Sequence, residues 1–99
     1  MNHLTKGEIL ALLSQNKERL ARKYSLKSLA SFGSYARGTQ VNGVSDIDLL
    51  VDFSAPVGME IVELVIELED ILKHRVDVVT CNALKDRLFH YIKEDLECV

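Results

Sequence analysis

Apolar residues recur at helical spacing near the start of the chain. The segment reads LTKGEILALLSQNKERLARKY, and its apolar stripe consists of Ile9, Leu10, Leu12, Leu13 and Leu20. Glu8 lies three residues after Thr5, which is the Thr-x-x-Glu pattern of a capping box. We therefore expect an amphipathic helix that begins after Thr5 and ends near Tyr24.

Three shorter stretches show the composition and alternation of strands. They are LKSLASF, DIDLLVDF and HRVDVVT, with strands expected over Ser28–Phe32, Asp46–Phe53 and His74–Thr80. In the second strand one face is wholly apolar, whereas the opposite face carries three aspartates around Leu50: Asp46, Asp48 and Asp52. The polar face of this strand needs an explanation other than core packing.

The remaining segments predict helices. The turn signal SAPVG precedes a helix from about Met59 to Lys73, and NALKDRLFHYIKEDL predicts a closing helix capped by Asn82. SYARG, after Gly33, resembles the first turn of a short helix or a tight loop. The order α-β-(α)-β-α-β-α predicts an α/β (α+β) fold, a small mixed sheet flanked by helices, in one domain of residues 1–99.

Charge and cysteine content exclude several classes of protein. The net charge of −3 argues against binding nucleic acid by phosphate neutralisation. No apolar stretch approaches the roughly 20 residues of a membrane span, and the N-terminus lacks a signal-peptide pattern, so we expect a cytoplasmic protein. Cys81 and Cys98 have neither metal-ligand spacing nor a disulfide framework, which indicates free thiols.

Asp46 and Asp48 point to the same side of an extended chain and can turn toward one point. Carboxylates this close repel each other unless a cation or hydrogen bonds offset their charge, and Mg²⁺ prefers such oxygen ligands. Asp77 is also isolated among valines and would join them if the third strand lies beside the second. Three carboxylates could hold two ions, although plain exposure of all three to water is the commoner explanation of Asp-x-Asp alone.

The turn after the first strand favours a binding site over plain exposure of the aspartates. Gly33 and Ser34 offer backbone N–H groups and a hydroxyl to a phosphate, and glycine lets a ligand approach the backbone closely. Arg37 lies about one turn further on and could reach a phosphate, or could simply be exposed. The segment has neither the P-loop pattern nor the dinucleotide fingerprint.

These motifs together, FGSYARG, SDIDLLVDF, RVDVVT and ALKDRLFHYI, resemble the minimal nucleotidyltransferase (MNT) branch of the polymerase-β-like nucleotidyltransferase superfamily. The resemblance covers nearly the whole chain and implies a polymerase-β palm-like fold. It places Gly33 and Ser34 on the triphosphate turn and the three aspartates on the metal site. The family commonly has about ten residues between Gly-Ser and the first aspartate, whereas this chain has eleven, which we assign to a longer loop.

The resemblance implies Mg²⁺-dependent transfer of AMP from ATP, with pyrophosphate leaving. Asp46, Asp48 and Asp77 would hold two metal ions, with Asp77 helping to activate the acceptor hydroxyl, and Gly33, Ser34 and Arg37 would bind the nucleotide. It also implies an antitoxin that modifies a tyrosine of an RNase-like HEPN toxin.

Two alternatives stay open on the sequence. One is a catalytically silent module that neutralises its partner by contact, and the other is a transferase acting on a small molecule. The sequence leaves self-association into a homo-oligomer undecided.

Overall fold

The first helix, α1, shows how a short sequence signal fixes an element boundary. In this computed structural model, which describes residues 5–33, 46–81, 93–94 and 96–99, α1 spans Lys6–Tyr24. The Glu8 backbone N–H donates to the Thr5 hydroxyl and the Thr5 N–H donates to the Glu8 carboxylate, each at 3.2 Å. The predicted capping box is therefore confirmed. The helix ends at Tyr24, and the C-cap residue Ser25 has a left-handed φ of 56°.

A mixed sheet of four strands lies beside this helix. The strands are β1 (Leu26–Phe32), β2 (Ile47–Phe53), β3 (Val76–Thr80) and β4 (Glu97–Cys98), in the order β3-β2-β1-β4. β1 runs antiparallel to both β2 and β4, whereas β2 and β3 are parallel. The predicted fold class is confirmed, and each of the three predicted strands begins and ends within two residues of its expected boundaries.

β4 was not predicted. It has two residues, too few to show any alternation, and it exists through its pairing with Ala30 and Ser31 of β1. The end of the predicted closing helix also differs, because Lys93 and Glu94 lie in a turn and Leu96 leads into β4. The rest of that helix and the segment SYARG fall outside the described residues.

The second helix, α2, spans Glu60–Leu72, within one residue of the predicted range at each end. It connects β2 to β3 and therefore allows those two strands to be parallel. Its three fully buried residues, spaced at i, i+4 and i+8, are Leu64, Leu68 and Leu72. No helix in the described ranges is long and apolar enough to cross a membrane.

The core lies between the two helices and one face of the sheet. β2 contributes its alternate residues Ile47, Leu49 and Val51, each fully buried. They cluster with residues of β1 and of both helices: Ile9, Leu13, Leu20, Tyr24, Leu26, Leu29, Leu64, Leu68 and Leu72. Asp48 and Asp52 alternate with the core residues of β2, so they project from the opposite face of the sheet.

Candidate active site

Two of the predicted site aspartates lie side by side on neighbouring strands. Asp48 of β2 and Asp77 of β3 are directly paired in the parallel register. Residues paired in this way project from the same face, and adjacent strands are only about 4.8 Å apart. Asp77 is exposed and Asp48 is half-buried. The sheet thus brings together two carboxylates that are separated by a whole helix in the sequence.

The third aspartate, Asp46, lies just before β2 with its side chain 46% exposed. Its Oδ1 atom is 3.3 Å from Nε of Arg75, the residue that precedes β3. The Ile47 N–H donates to the Arg75 carbonyl at 3.0 Å, which holds the two strand starts together. Arg75 is therefore a positively charged neighbour of the aspartates at the beginning of both parallel strands.

Arg75 was missed on the sequence, because its position relative to the aspartates has meaning only once the strands are paired. It lies two residues before Asp77, as Asp46 lies two residues before Asp48. Once Asp48 is paired with Asp77, the same register places Arg75 beside Asp46. That deduction requires the strand pairing, which the sequence did not supply.

Gly33 packs directly against Asp48. A Cβ atom added to Gly33 would lie 2.2 Å from Oδ2 of Asp48, well inside van der Waals contact. The φ angle of Gly33 is also +77°, a conformation that side-chain-bearing residues rarely adopt. Two independent constraints, the close carboxylate and the backbone angle, therefore require glycine here. The other nucleotide-binding residues predicted from the sequence, Ser34 and Arg37, lie outside the described residues.

The carboxylate oxygens of Asp48 and Asp77 suit a hard cation. Carboxylate oxygens are the protein ligands that Mg²⁺ prefers, and Mg²⁺ usually takes one or two of them together with water and substrate phosphates. Asp48 and Asp77 share one face and supply that number. In the part of the chain that the structure describes, no three Asp, Glu, His or Cys side chains are grouped as metal ligands, and Asp46 instead contacts Arg75. A three-carboxylate site would require the Asp46 side chain to turn away from Arg75.

The cysteine that follows β3 has no features of a nucleophile. Burial, and then the negative charge of Asp52, raise the pKa of the Cys81 thiol above its usual range. A thiol with a raised pKa stays protonated at neutral pH and is a weak nucleophile. Both Cys81 and Cys98 are free cysteines, as expected from their spacing.

Comparison with known proteins identifies the family of this chain. The family model described as a nucleotidyltransferase domain matches residues 13–98. The chain belongs to this family. Over 86 residues it is 38% identical to the protein adenylyltransferase MntA of Thermococcus cleftensis, covering 86% of each chain. A Methanocaldococcus jannaschii protein, provisionally named a protein adenylyltransferase, is 39% identical over 94 residues, which cover 94% of this chain and 92% of the relative.

Solved structures show the same fold. A protein described provisionally as a minimal nucleotidyltransferase superposes with a TM-score of 0.75 at 27% identity, covering 98% of both chains. A toxin–antitoxin complex with AMP-PNP contains a chain with a TM-score of 0.67 at 27% identity, covering 96% of this chain and 72% of that one. A variant of the MntA–HpeT toxin–antitoxin, in which two aspartates two positions apart are glutamates, gives 0.66 at 25% identity, with the same coverage. The resemblance inferred from the sequence motifs is confirmed.

Proposed function

We propose that this nucleotidyltransferase moves AMP from ATP to the hydroxyl group of a tyrosine on a HEPN-type toxin and thereby acts as its antitoxin. The observation that carries the proposal is the pairing of Asp48 with Asp77 on one face of the sheet, with Gly33 packed against Asp48. Its support in the comparisons is the relative named protein adenylyltransferase MntA and the similar toxin–antitoxin complex with AMP-PNP.

We assign a proposed role to each aspartate from its position. Asp48 and Asp77 are the residues best placed to hold Mg²⁺, with Asp46 joining them if it turns from Arg75. Bound Mg²⁺ would offset the negative charge of the triphosphate and of the departing pyrophosphate. The spacing of Asp46 and Asp48 matches that of the two aspartates replaced in the MntA–HpeT variant.

The transfer needs one proton to be removed and one bond to be exchanged. The acceptor oxygen attacks the α-phosphorus of ATP, its proton passes to a carboxylate, and the bond to the β-phosphate oxygen breaks so that pyrophosphate leaves. Asp77 is exposed, lies beside Asp48 on this face and is our candidate for the proton acceptor. Catalysis of this kind rests mainly on positioning and on electrostatic stabilisation.

The turn and Arg75 would complete the site around the phosphates. The absence of a side chain at Gly33 lets the Asp48 carboxylate lie directly against this turn, and the backbone N–H groups of the turn, with Ser34 and Arg37, are proposed to bind the β- and γ-phosphates. The Arg75 guanidinium offsets part of the repulsion among the aspartates before nucleotide arrives. The turn would bind the nucleotide and Arg75 would balance charge, and neither would take part in making or breaking bonds.

Transfer of label from α-labelled ATP to the purified HEPN partner tests the proposal. Wild type plus Mg²⁺ should give a covalently labelled partner band, and Asp48→Asn should give none. Asp52→Asn is the matched control, because Asp52 lies on the same strand face but contacts Lys27 at 3.8 Å instead of Asp77. An unlabelled partner that is nevertheless neutralised would indicate the silent binding module, and label in a small molecule would indicate the other alternative.

A further inference from the structure

Helix α2 is apolar on two opposite sides. Its buried side contains Leu64, Leu68 and Leu72, and these pack into the core. The other side carries Val62 and Ile66, and Met59 is the N-cap residue just before the helix; these large apolar residues are exposed, Met59 to 73%, Val62 to 49% and Ile66 to 62%. A surface helix of a globular protein normally has one apolar side, which faces the core, and polar residues on the opposite side. The core explains only the inner side of α2.

The three exposed residues form one continuous stripe. At about 100° per residue, positions spaced i, i+3 and i+7 fall on the same side of a helix, and at 1.5 Å per residue they cover about 10 Å of its length. Single exposed apolar residues are common on protein surfaces, but a contiguous stripe marks an interaction site. We call Met59, Val62 and Ile66 the outer stripe.

Acidic residues border the outer stripe on both sides. Helical geometry puts Glu63 and Asp70 along one border and Glu69 along the other. The 13 residues of α2 contain five acidic residues and no lysine or arginine, in a chain whose net charge is only −3. Of these five, Glu67 is already paired with Arg19 and Lys23 of α1, and Asp70 with Lys73. Arg19, Lys23 and Lys73 thus offset three of the five negative charges, and a smaller net negative charge remains on this side of α2.

We infer that the outer stripe docks an amphipathic helix of a partner protein, with apolar residues at the same spacing flanked by lysine or arginine. Such a helix buries the stripe and brings positive charge against the acidic borders. A second copy of this chain would place acidic borders against each other, which disfavours self-association through α2. This inference does not depend on the proposed transferase activity.

The location of the stripe keeps it apart from the candidate active site. α2 packs on the sheet face that carries Ile47, Leu49 and Val51, whereas Asp48 and Asp77 project from the opposite face. A partner helix bound at α2 would therefore leave the carboxylates accessible. Docking and transfer can be measured separately.

The test uses two designed helical peptides that share one leucine stripe at i, i+3 and i+7 spacing. One carries lysines at the flanking positions and the other carries glutamates. We expect the lysine peptide to bind wild type, with NMR shift changes centred on α2, and the glutamate peptide to bind at least about 10-fold more weakly. Higher salt should weaken binding of the lysine peptide, because salt screens the attraction between its lysines and the acidic borders.

Matched variants decide between this surface and any other. Two double variants should each weaken binding of the lysine peptide by about 10-fold or more. One is Val62→Ser with Ile66→Ser, and the other is Glu63→Lys with Asp70→Lys. Glu18→Lys is the control, because Glu18 is an equally exposed acid on α1 with a side chain 79% exposed. Equal binding of both peptides, binding insensitive to the α2 variants, or the absence of binding would overturn the inference. So would a dimer in sedimentation experiments that Ile66→Ser dissociates, because the occupant would then be a second copy.

Discussion

The two faces of β2 carry out different tasks within seven residues. On one face Ile47, Leu49 and Val51 have no exposed surface and form the centre of the core. On the other face Asp48 and Asp52 are half-buried on either side of Leu50. Because side chains alternate along a strand, stability and chemistry can occupy successive positions without sharing a side chain.

The polar face is itself divided between its two ends. Asp48, near the start of β2, adjoins Asp77 and the bare backbone of Gly33. Asp52, near the end of the strand, accepts from the Phe53 N–H at 3.0 Å and has Lys27 at 3.8 Å. Asp48 is therefore a candidate site residue because of the groups around it. Asp52 has the same side chain on the same face but different neighbours, and it is not a candidate.

The largest expected effect is the loss of activity in Asp48→Asn. The amide keeps the shape but removes the charge that would hold a cation, so transfer of AMP should fall on the order of 1,000-fold, as when a major electrostatic contact is removed from an active site. Initial rates with labelled ATP measure this. Asp52→Asn should retain activity within about twofold and stability within about 0.5 kcal/mol. Equal losses in both variants would break the distinction between the two ends of the face.

Leu49→Ala should have its main effect on stability. Leu49 is completely buried, so the truncation removes apolar contacts and leaves a cavity, at a cost of about 2–5 kcal/mol. Urea denaturation at constant m-value measures the change. Ile66→Ala is the control, because a similar side chain that is 62% exposed should cost much less. A small loss at Leu49 would contradict its place at the centre of the core.

Gly33→Ala should affect both stability and activity, because Gly33 joins the sheet to the site. A new Cβ would strain the positive-φ backbone and displace the Asp48 carboxylate, with a stability loss of about 1–3 kcal/mol and a fall in transfer activity. Thermal denaturation and the labelled-ATP assay measure the two effects.

Gly7→Ala is the matched glycine control. Its added Cβ would lie 4.0 Å from the Thr5 hydroxyl oxygen, which is ordinary contact, and alanine favours the helix. We expect unchanged or slightly higher stability and unchanged transfer. A Gly33→Ala variant that behaved like Gly7→Ala would show that Asp48 can move without consequence.

The smallest effect concerns a charge cluster on the helical side of the sheet. The hydrogen bond from Lys23 lowers the pKa of Glu67, with Arg19 acting in the same direction and burial opposing it. Because the folded-state pKa is lowered, this contribution to stability is present above the ordinary pKa of a glutamate and is lost as the pH falls through the folded-state value. Wild type should therefore lose more stability than Glu67→Gln between about pH 5 and pH 3.

At neutral pH, Glu67→Gln should lower the thermal midpoint by less than about 5 °C and leave transfer unchanged. Glu18→Gln provides the comparison, because Glu18 and Arg22 form a pair in which both side chains are 79% exposed. Denaturation curves across the pH range measure both variants. A parallel pH dependence in wild type and Glu67→Gln would show that the cluster contributes nothing to acid stability.

Local sequence signals were sufficient for most of the elements. The capping box of Thr5 and Glu8 set the start of α1, and alternation set the apolar face of β2. These signals depend on residues a few positions apart, so they can be recognised without knowing the fold. The Asp-x-Asp pair and the Gly-Ser turn were likewise found as local patterns, and the family they indicated is confirmed.

Only the tertiary structure decided which of these patterns meet. The parallel register that pairs Asp48 with Asp77, the contact of Arg75 with Asp46, and the packing of Gly33 on Asp48 all join segments that are distant in the chain. β4 depends in the same way on pairing with β1. Strand pairing is selected by the burial of one whole sheet face, since a shift of one residue would turn every core side chain outward. The sequence by itself determined the helices, the central strands and the aspartates, and packing of the core determined where those aspartates lie.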